Sequence, residues 1–339
     1  MSGNRQIAID VMGGDAGASV TVPAALLALD LHHDLQLYLV GDEACIKPFL
    51  AGSENKEILQ RVTIVHTQCT ITNSDKPGKV LREKSKSSMF MAVDLVQKCQ
   101  VQACVSAGNT GALLLCGRHL LKTIAGIDKP AIIATIPGAT SNCYLLDVGA
   151  NVDCKAEQLL QFAVMGSVLA ESLNGLECAR VGLLNIGAEE YKGSEQVRLA
   201  ANLLETCESI NYIGFIEGSA LYEGRADVVV CDGFVGNVTI KSSAGVVHVI
   251  DNFIDAHSQT NWRMKLAALT SYPLLKRLRK HVNPSQFNGA SLLGLQGSII
   301  KSHGNATVEG FVYAIEQAIM EAENNVPGLI ANKVGSILE

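Results

Sequence analysis

The sequence predicts an α/β fold: a mainly parallel sheet covered by helices on both faces. Two observations carry this. Short runs of Val, Ile and Leu alternate along the chain with segments of helical period, the pattern of crossover units. Four of those runs also break into small-residue corners, at Gly13-Gly14-Asp15, Gly108-Asn109-Thr110-Gly111, Gly149-Ala150-Asn151 and Asp232 to Asn237. Folds of this class bind ligands beyond the carboxyl ends of their strands, where such corners fall.

The elements follow in order. Gln6–Val11 opens the sheet, and the Ala- and Leu-rich Val22–Leu31 returns as a helix. Leu35–Val40 alternates in part, which fits a strand nearer an edge, and Val62–His66 follows it. Thr70–Lys86 interrupts the pattern: it is polar, contains Pro77 and Gly78, and carries Arg82, Lys84 and Lys86. It is expected as a loop or lid ahead of a Ser88–Gln97 helix. Ala103–Ser106 and the Ala112–Lys122 helix form a strand–turn–helix unit, and strands at Ala131–Thr135 and Cys143–Val148 lead to a helix at Glu157–Leu173. Then come Val181–Ile186, the Glu195–Cys207 helix, Tyr212–Glu217, Asp227–Cys231 and the Val235–Phe253 helix. Ser298–Lys301 and the Thr307–Glu323 helix close the series.

A chain of 339 residues, 48% hydrophobic and 18% charged, has ample material for a large core. No stretch has a linker's composition, so residues 1–339 are expected as one α/β unit, with two closely joined lobes as the alternative. The net charge of −6 argues against a nucleic-acid partner. The ten cysteines show no Cys-x-x-Cys and no zinc-ligand spacing, as expected of reduced core thiols in a cytosolic protein, with no metal. Asp10 breaks the first apolar stretch too early for a signal peptide, and no apolar run reaches membrane-spanning length.

The corners suggest one cleft built from strand ends. A strand that ends in a small-residue turn and feeds a helix leaves backbone N–H groups unpaired at the positive end of the helix dipole, which favours an anion, above all a phosphate. Gly14, Ser106, Gly108, Asn109, Thr110, Gly111, Asn151 and Asn237 are the candidates for phosphate binding. Asn109, Thr110, Lys84 and Asp232 are the candidates for catalysis. Asp232 fits a helix cap as well as a site role, and Asn151 and Asn237 fit turn positions as well. The dinucleotide fingerprint, the P-loop, the serine nucleophile elbow and the zinc-peptidase motif are all absent.

One segment stands apart. Between Asp255 and Glu309 there is no acidic residue, and within Thr260–His281 the apolar Trp262, Leu274 and Leu275 lie among Arg263, Lys265, Lys276, Arg277, Arg279 and Lys280. A basic amphipathic excursion at about 252–285 fits an anionic lipid surface, an acidic partner or a subunit interface.

The ordered set of motifs supplies a further reading. Ile9-Asp10-Val11-Met12-Gly13-Gly14-Asp15, Ser106-Ala107-Gly108-Asn109-Thr110-Gly111, Leu146-Asp147-Val148-Gly149-Ala150-Asn151, Cys231-Asp232-Gly233-Phe234-Val235-Gly236-Asn237 and Lys301-Ser302-His303-Gly304 occur in that order. Together they closely resemble the phosphate acyltransferase family PlsX of bacterial phospholipid synthesis. Asn288 and Ser291 depart from the family's pattern.

The resemblance implies a three-layer αβα sandwich related to phosphate acetyltransferases and isocitrate-type dehydrogenases. It implies transfer of a fatty acyl group from acyl carrier protein to inorganic phosphate, giving acyl phosphate for phosphatidic acid synthesis. No cofactor is expected, since phosphate is itself a substrate. Also implied are a homodimer, a cytoplasmic enzyme held peripherally on the inner face of the membrane, and a functional link to a membrane glycerol-3-phosphate acyltransferase. A coenzyme A-dependent phosphate acyltransferase is the nearest alternative, and a non-catalytic membrane-associated scaffold is the alternative of another class.

Overall fold

A computed structural model describes residues 5–52, 55–72, 74–75, 77–138, 141–258 and 284–338. Its strands are β1 (Arg5–Asp10), β2 (Leu35–Gly41), β3 (Val62–His66), β4 (Ala103–Ser106), β5 (Ala131–Ile136), β6 (Cys143–Leu146), β7 (Arg180–Asn185), β8 (Asn211–Glu217), β9 (Val228–Val230), β10 (Ala290–Leu293) and β11 (Ser298–Lys301). The helices are α1 (Ala18–Leu31), α2 (Glu43–Ala51), α3 (Lys56–Leu59), α4 (Pro77–Glu83), α5 (Ser88–Gln97), α6 (Thr110–Leu120), α7 (Ala156–Asn174), α8 (Glu195–Glu205), α9 (Gly233–Ser258), α10 (Val308–Asn324) and α11 (Val326–Leu338).

The eleven strands among the described residues join one sheet in the order β3-β2-β1-β4-β11-β10-β5-β6-β9-β7-β8. Seven of the ten pairings are parallel. The three antiparallel ones, β11 with β10, β10 with β5 and β5 with β6, sit together in the middle. The expected mainly parallel sheet is therefore present, with a reversal at its centre.

Side chains alternate between two buried faces, as the two-residue period of a strand requires. Ile7, Ile9, Ala103, Val105 and Ile300 pack with α1 and α10 on one face, and Ala8, Cys104 and Ile299 pack with α5 and α6 on the other. The same division recurs farther along, where Leu146, Val228 and Val230 meet α7, and Leu145 and Val229 turn to the opposite side. The result is three layers, helix on sheet on helix.

Most departures from the sequence reading concern short elements. β10 was not expected: it has four residues, lies between antiparallel neighbours and feeds no crossover helix. Pro77 and Gly78 do not make the Thr70–Lys86 stretch a loop throughout. They open α4, where a proline at the first helical position costs no hydrogen bond. α2, α3 and α11 were also unforeseen, although Asp42 caps α2 and Asn55 caps α3 through their side chains. Trp262, Arg263, Lys265, Leu274, Leu275, Lys276, Arg277, Arg279 and Lys280 lie outside the described residues. No helix among the described residues is long and apolar enough to cross a membrane.

Candidate active site

Three neighbouring strand ends make the base of the site. β1, β4 and β11 are adjacent and parallel, and their last residues are register partners: Asp10 with Ser106, and Ser106 with Lys301. By the period of the strand all three point to the face that Ala8, Cys104 and Ile299 occupy, toward α5 and α6. Asp10 is 1% exposed. The Ser106 hydroxyl donates to Asp10 Oδ2 at 2.6 Å and accepts the Gly108 N–H at 3.1 Å, while Asp10 Oδ1 has no partner in hydrogen-bond geometry among the described residues. Burial pushes the Asp10 carboxyl up, against the pull of Ser106, Ser88, the Met12 N–H and the Lys301 charge.

The turns that leave these strands touch one another. The Asp15 N–H donates to the Gly304 carbonyl at 2.8 Å. Gly14 has φ 85°, and a Cβ there would stand 2.9 Å from both Ala107 Cβ and the Gly304 oxygen, so only glycine fits where the turns meet. Asn288, the departure noted above, fastens the third turn: its amide nitrogen donates to Ser302 Oγ and the Gly310 carbonyl, and its oxygen accepts the His303 N–H.

Above the turns lies an open cleft of about 470 Å³, bordered by Asp15, Asn109, Thr110, Gly111, Lys301 and Asn305 among others. The α6 helix begins on its wall. Asn109 Oδ1 accepts the Ala112 N–H at 2.9 Å, and the Asn109 carbonyl accepts the Leu113 N–H at 3.0 Å. Thr110 and Gly111, the first two residues of the helix, keep N–H groups with no partner within it. The Asn109 amide nitrogen is a further donor at the same place, because its oxygen is the atom that caps. Lys301 Nζ donates to the Ala107 carbonyl at 3.4 Å and to the Ser302 carbonyl. Burial lowers the Lys301 pKa to about 8, against the pull of Asp10 and Asp15. Burial and the Lys301 charge push the His303 imidazole down.

The sequence candidates divide in space. Asn109, Thr110, Gly111 and Gly108 border the cleft, although the Gly108 N–H is taken inward by Ser106, and Gly14 and Ser106 shape its base. Asn151, Asn237 and Asp232 do not join them. Three reversals separate β4 from β6, so β4 and the β6–β9 pair run in opposite senses and their carboxyl ends lie on opposite edges of the sheet. The expected single cleft of four corners is thus two pairs of corners within one chain.

At that opposite edge Asp147 accepts N–H groups from Ile132, Gly149, Ala150 and Asn151, and the Asn151 amide as well. Asn151 also donates to the Pro130 carbonyl, and Asp232 caps α9 by accepting the Val235 N–H at 2.8 Å. Asn237 packs beside Gly149. Lys84 holds the 70–86 segment together, donating to the Thr70 carbonyl at 3.0 Å beside Asp75. The site residue that sequence reasoning left out is Lys301. Its signal was the Lys301-Ser302-His303-Gly304 motif at the end of an apolar run, the same position Ser106 has on β4.

The model of the family described as Fatty acid synthesis protein matches residues 5–329. A phosphate acyltransferase from Halorhodospira halophila is 48% identical over 339 residues, covering 100% of this chain and 98% of the relative. Another from Pseudomonas savastanoi pv. phaseolicola is 49% identical over 335 residues, covering 98% and 97%. Among solved structures, a phosphotransacetylase from Streptococcus pyogenes superposes with TM-score 0.62 at 14% identity, covering 94% of each chain. A putative 4-hydroxythreonine-4-phosphate dehydrogenase from Salmonella typhimurium gives TM-score 0.54 at 12% identity, covering 93% of this chain and 99% of its own. At these identities the likeness is one of fold, and it agrees with the expected relation to phosphate acetyltransferase and dehydrogenase architectures.

Proposed function

The chain belongs to the fatty acid synthesis protein family, whose relatives at nearly half identity are phosphate acyltransferases, and from that premise we propose that it transfers a fatty acyl group from acyl carrier protein to inorganic phosphate. The observation that carries this reading is the open start of α6, where the N–H groups of Thr110 and Gly111 and the Asn109 amide border an open cleft at the positive end of a helix dipole. A phosphate dianion is already a nucleophile near neutral pH. One of its oxygens attacks the thioester carbon, the carbonyl oxygen becomes an oxyanion, and the C–S bond breaks to release the carrier thiolate and acyl phosphate. No enzyme nucleophile enters the balance. The chain's part is to hold phosphate in line and to place donors where negative charge develops.

The assembly belongs to the same proposal. A homodimer is supported by the exposed apolar Val246, Val249 and Ile250 along α9. A cytoplasmic enzyme seated on the inner face of an anionic membrane is supported by the composition of the basic segment, and acyl phosphate made there would reach a membrane glycerol-3-phosphate acyltransferase directly.

Thioester release from acyl carrier protein, followed with and without phosphate and beside an acyl-coenzyme A donor, tests this. Release that depends on phosphate and prefers the carrier protein is expected. Preference for coenzyme A would move the activity to a coenzyme A-dependent enzyme, and no release from either donor would leave a scaffold.

A further inference from the structure

We propose that Lys301 is the residue that meets the charge of the bound phosphate, and that Asp10, buried behind it, is a positioning residue that keeps its ammonium at the cleft. This rests on reading the cleft as a phosphate site. It assigns roles to two residues that the donors of α6 leave unexplained.

The placement of Lys301 is fixed from the backbone outward. It closes β11 beside Ser106 on β4, which is itself beside Asp10 on β1, so the side-chain stem starts from a position set by two neighbouring parallel strands. Its ammonium is tied to the carbonyls of Ala107 and Ser302. Ala107 belongs to the turn that presents Asn109 and Thr110, so the cation is fastened to the same backbone as the amide donors. An ammonium has three N–H bonds, and with two spent on carbonyls the third remains for the cleft that Lys301 borders.

The titratable groups facing it come from three sides. Asp10 stands on β1, Asp15 on the turn ahead of α1, and His303 two residues along its own strand end. Burial works against the ammonium, and the two carboxylates only partly restore it. A phosphate dianion adds the charge that completes the restoration, so phosphate binds together with a proton wherever the amine is in part discharged. Asp10 explains itself in the same way. Ser106 holds one of its oxygens and Ser88 and the Met12 N–H also draw on the carboxyl, while the strand register sets it one strand beyond the neighbour of Lys301, whose ammonium feels its charge. Its charge, directed at Lys301, is its use.

The test titrates inorganic phosphate calorimetrically into the full chain, in two buffers of different ionisation enthalpy, between about pH 7 and about pH 9.5. Wild-type protein should bind more weakly as pH rises through about 8, with proton uptake over the same range. Lys301→Arg should bind within a few-fold of wild type at neutral pH and lose both the falling limb and the proton uptake, because a guanidinium does not discharge there. Lys301→Met, similar in length and uncharged, should bind at least about tenfold more weakly while melting as a folded protein. Asp10→Asn should move the falling limb to lower pH, since the amine has lost a facing carboxylate. A purely structural Asp10 would lower the melting temperature and leave the limb in place. Asp10→Ser replaces it if the amide variant does not fold, and failure of both to fold would overturn the positioning role. Lys301→Met that binds phosphate as wild type does would overturn the role of Lys301 while leaving the phosphate site standing. Wild-type protein that binds no phosphate would instead remove the proposed function itself.

Discussion

Ser106 and Asp10, register partners ninety-six residues apart in sequence, share a hydrogen bond of 2.6 Å that turns the serine away from the cleft. The same hydroxyl accepts the Gly108 N–H, so the turn after β4 sends one amide inward and leaves those of Thr110 and Gly111 outside.

Ser106→Ala should therefore act on stability. It removes one of the groups that hold Asp10 and leaves the Gly108 N–H buried without an acceptor, a loss of about 1–3 kcal/mol. Chemical denaturation should show that loss. An unchanged midpoint would mean that the hydroxyl bonds contribute nothing.

Asn109 has two separable tasks, capping α6 with its oxygen and presenting its amide nitrogen. Asn109→Ala should lower turnover by at least about tenfold, equivalent to about 1.4 kcal/mol of transition-state stabilisation, and cost about 1 kcal/mol of stability through the lost cap. Asn109→Ser keeps a capping oxygen and removes the nitrogen. Its melting temperature should stay near wild type while turnover falls, and a fully active serine variant would rule out the amide as a donor to substrate.

Asp147 gathers four backbone N–H groups and the Asn151 amide at 2.7–3.1 Å in a fully buried position. Asp147→Ala should cost roughly 3–5 kcal/mol, since the four backbone N–H groups would lose their side-chain acceptor together. Asp147→Asn, which retains one oxygen, should fall between the two. Equal stability of all three proteins in urea would contradict this account.

Glu321 is buried against Ser291 and Gln317, and burial lifts its pKa to about 6 from an ordinary 4.5. The folded state binds this proton more tightly than the unfolded state. The stability it contributes is therefore complete below pH 4.5 and is lost as pH rises through about 6. Glu321→Gln does not titrate, so the variant should gain about 2 kcal/mol on wild type between pH 4 and pH 7. A stability difference that stays flat with pH would show that Glu321 keeps an ordinary pKa.

The segment Thr260–His281 pairs apolar anchors with six basic residues, each worth about 1 kcal/mol near an anionic surface. Binding to anionic vesicles should weaken with salt, and Leu275→Glu should reduce it while the proposed dimer and soluble-substrate turnover persist. Co-sedimentation and light scattering on the same sample decide the matter. A monomeric, inactive Leu275→Glu would place this leucine in a subunit interface.

Elements with a strong period were legible in the sequence: Val62–His66, Ala103–Ser106, Ser298–Lys301 and Ser88–Gln97 have the expected bounds. A crossover pattern reports strands that feed helices, and β10 feeds none, so neither that strand nor the central reversal was visible. The site was legible one corner at a time. The Asn109-Thr110-Gly111 corner lies on a cleft as its composition suggested, but residue order carries no statement of strand direction, and direction is what sends Asn151 and Asn237 to the other edge. Lys301 is not legible as a site residue, because a lone lysine after an apolar run looks the same in a cleft as on a solvated surface.

The position of β11 has a consequence for how the chain is made. β11 lies between β4 and β10, and α10 packs on β1, β4 and β11 from the same late part of the sequence. Translation delivers the first four strands nearly two hundred residues before the strand that flanks β4 and the helix that covers it. A nascent amino-terminal half therefore has β4 as an unpaired edge, a template for pairing with other chains, until residue 301 emerges. The lysine that borders the cleft arrives with that same strand, so the cleft is bordered on all its sides only when synthesis is almost finished.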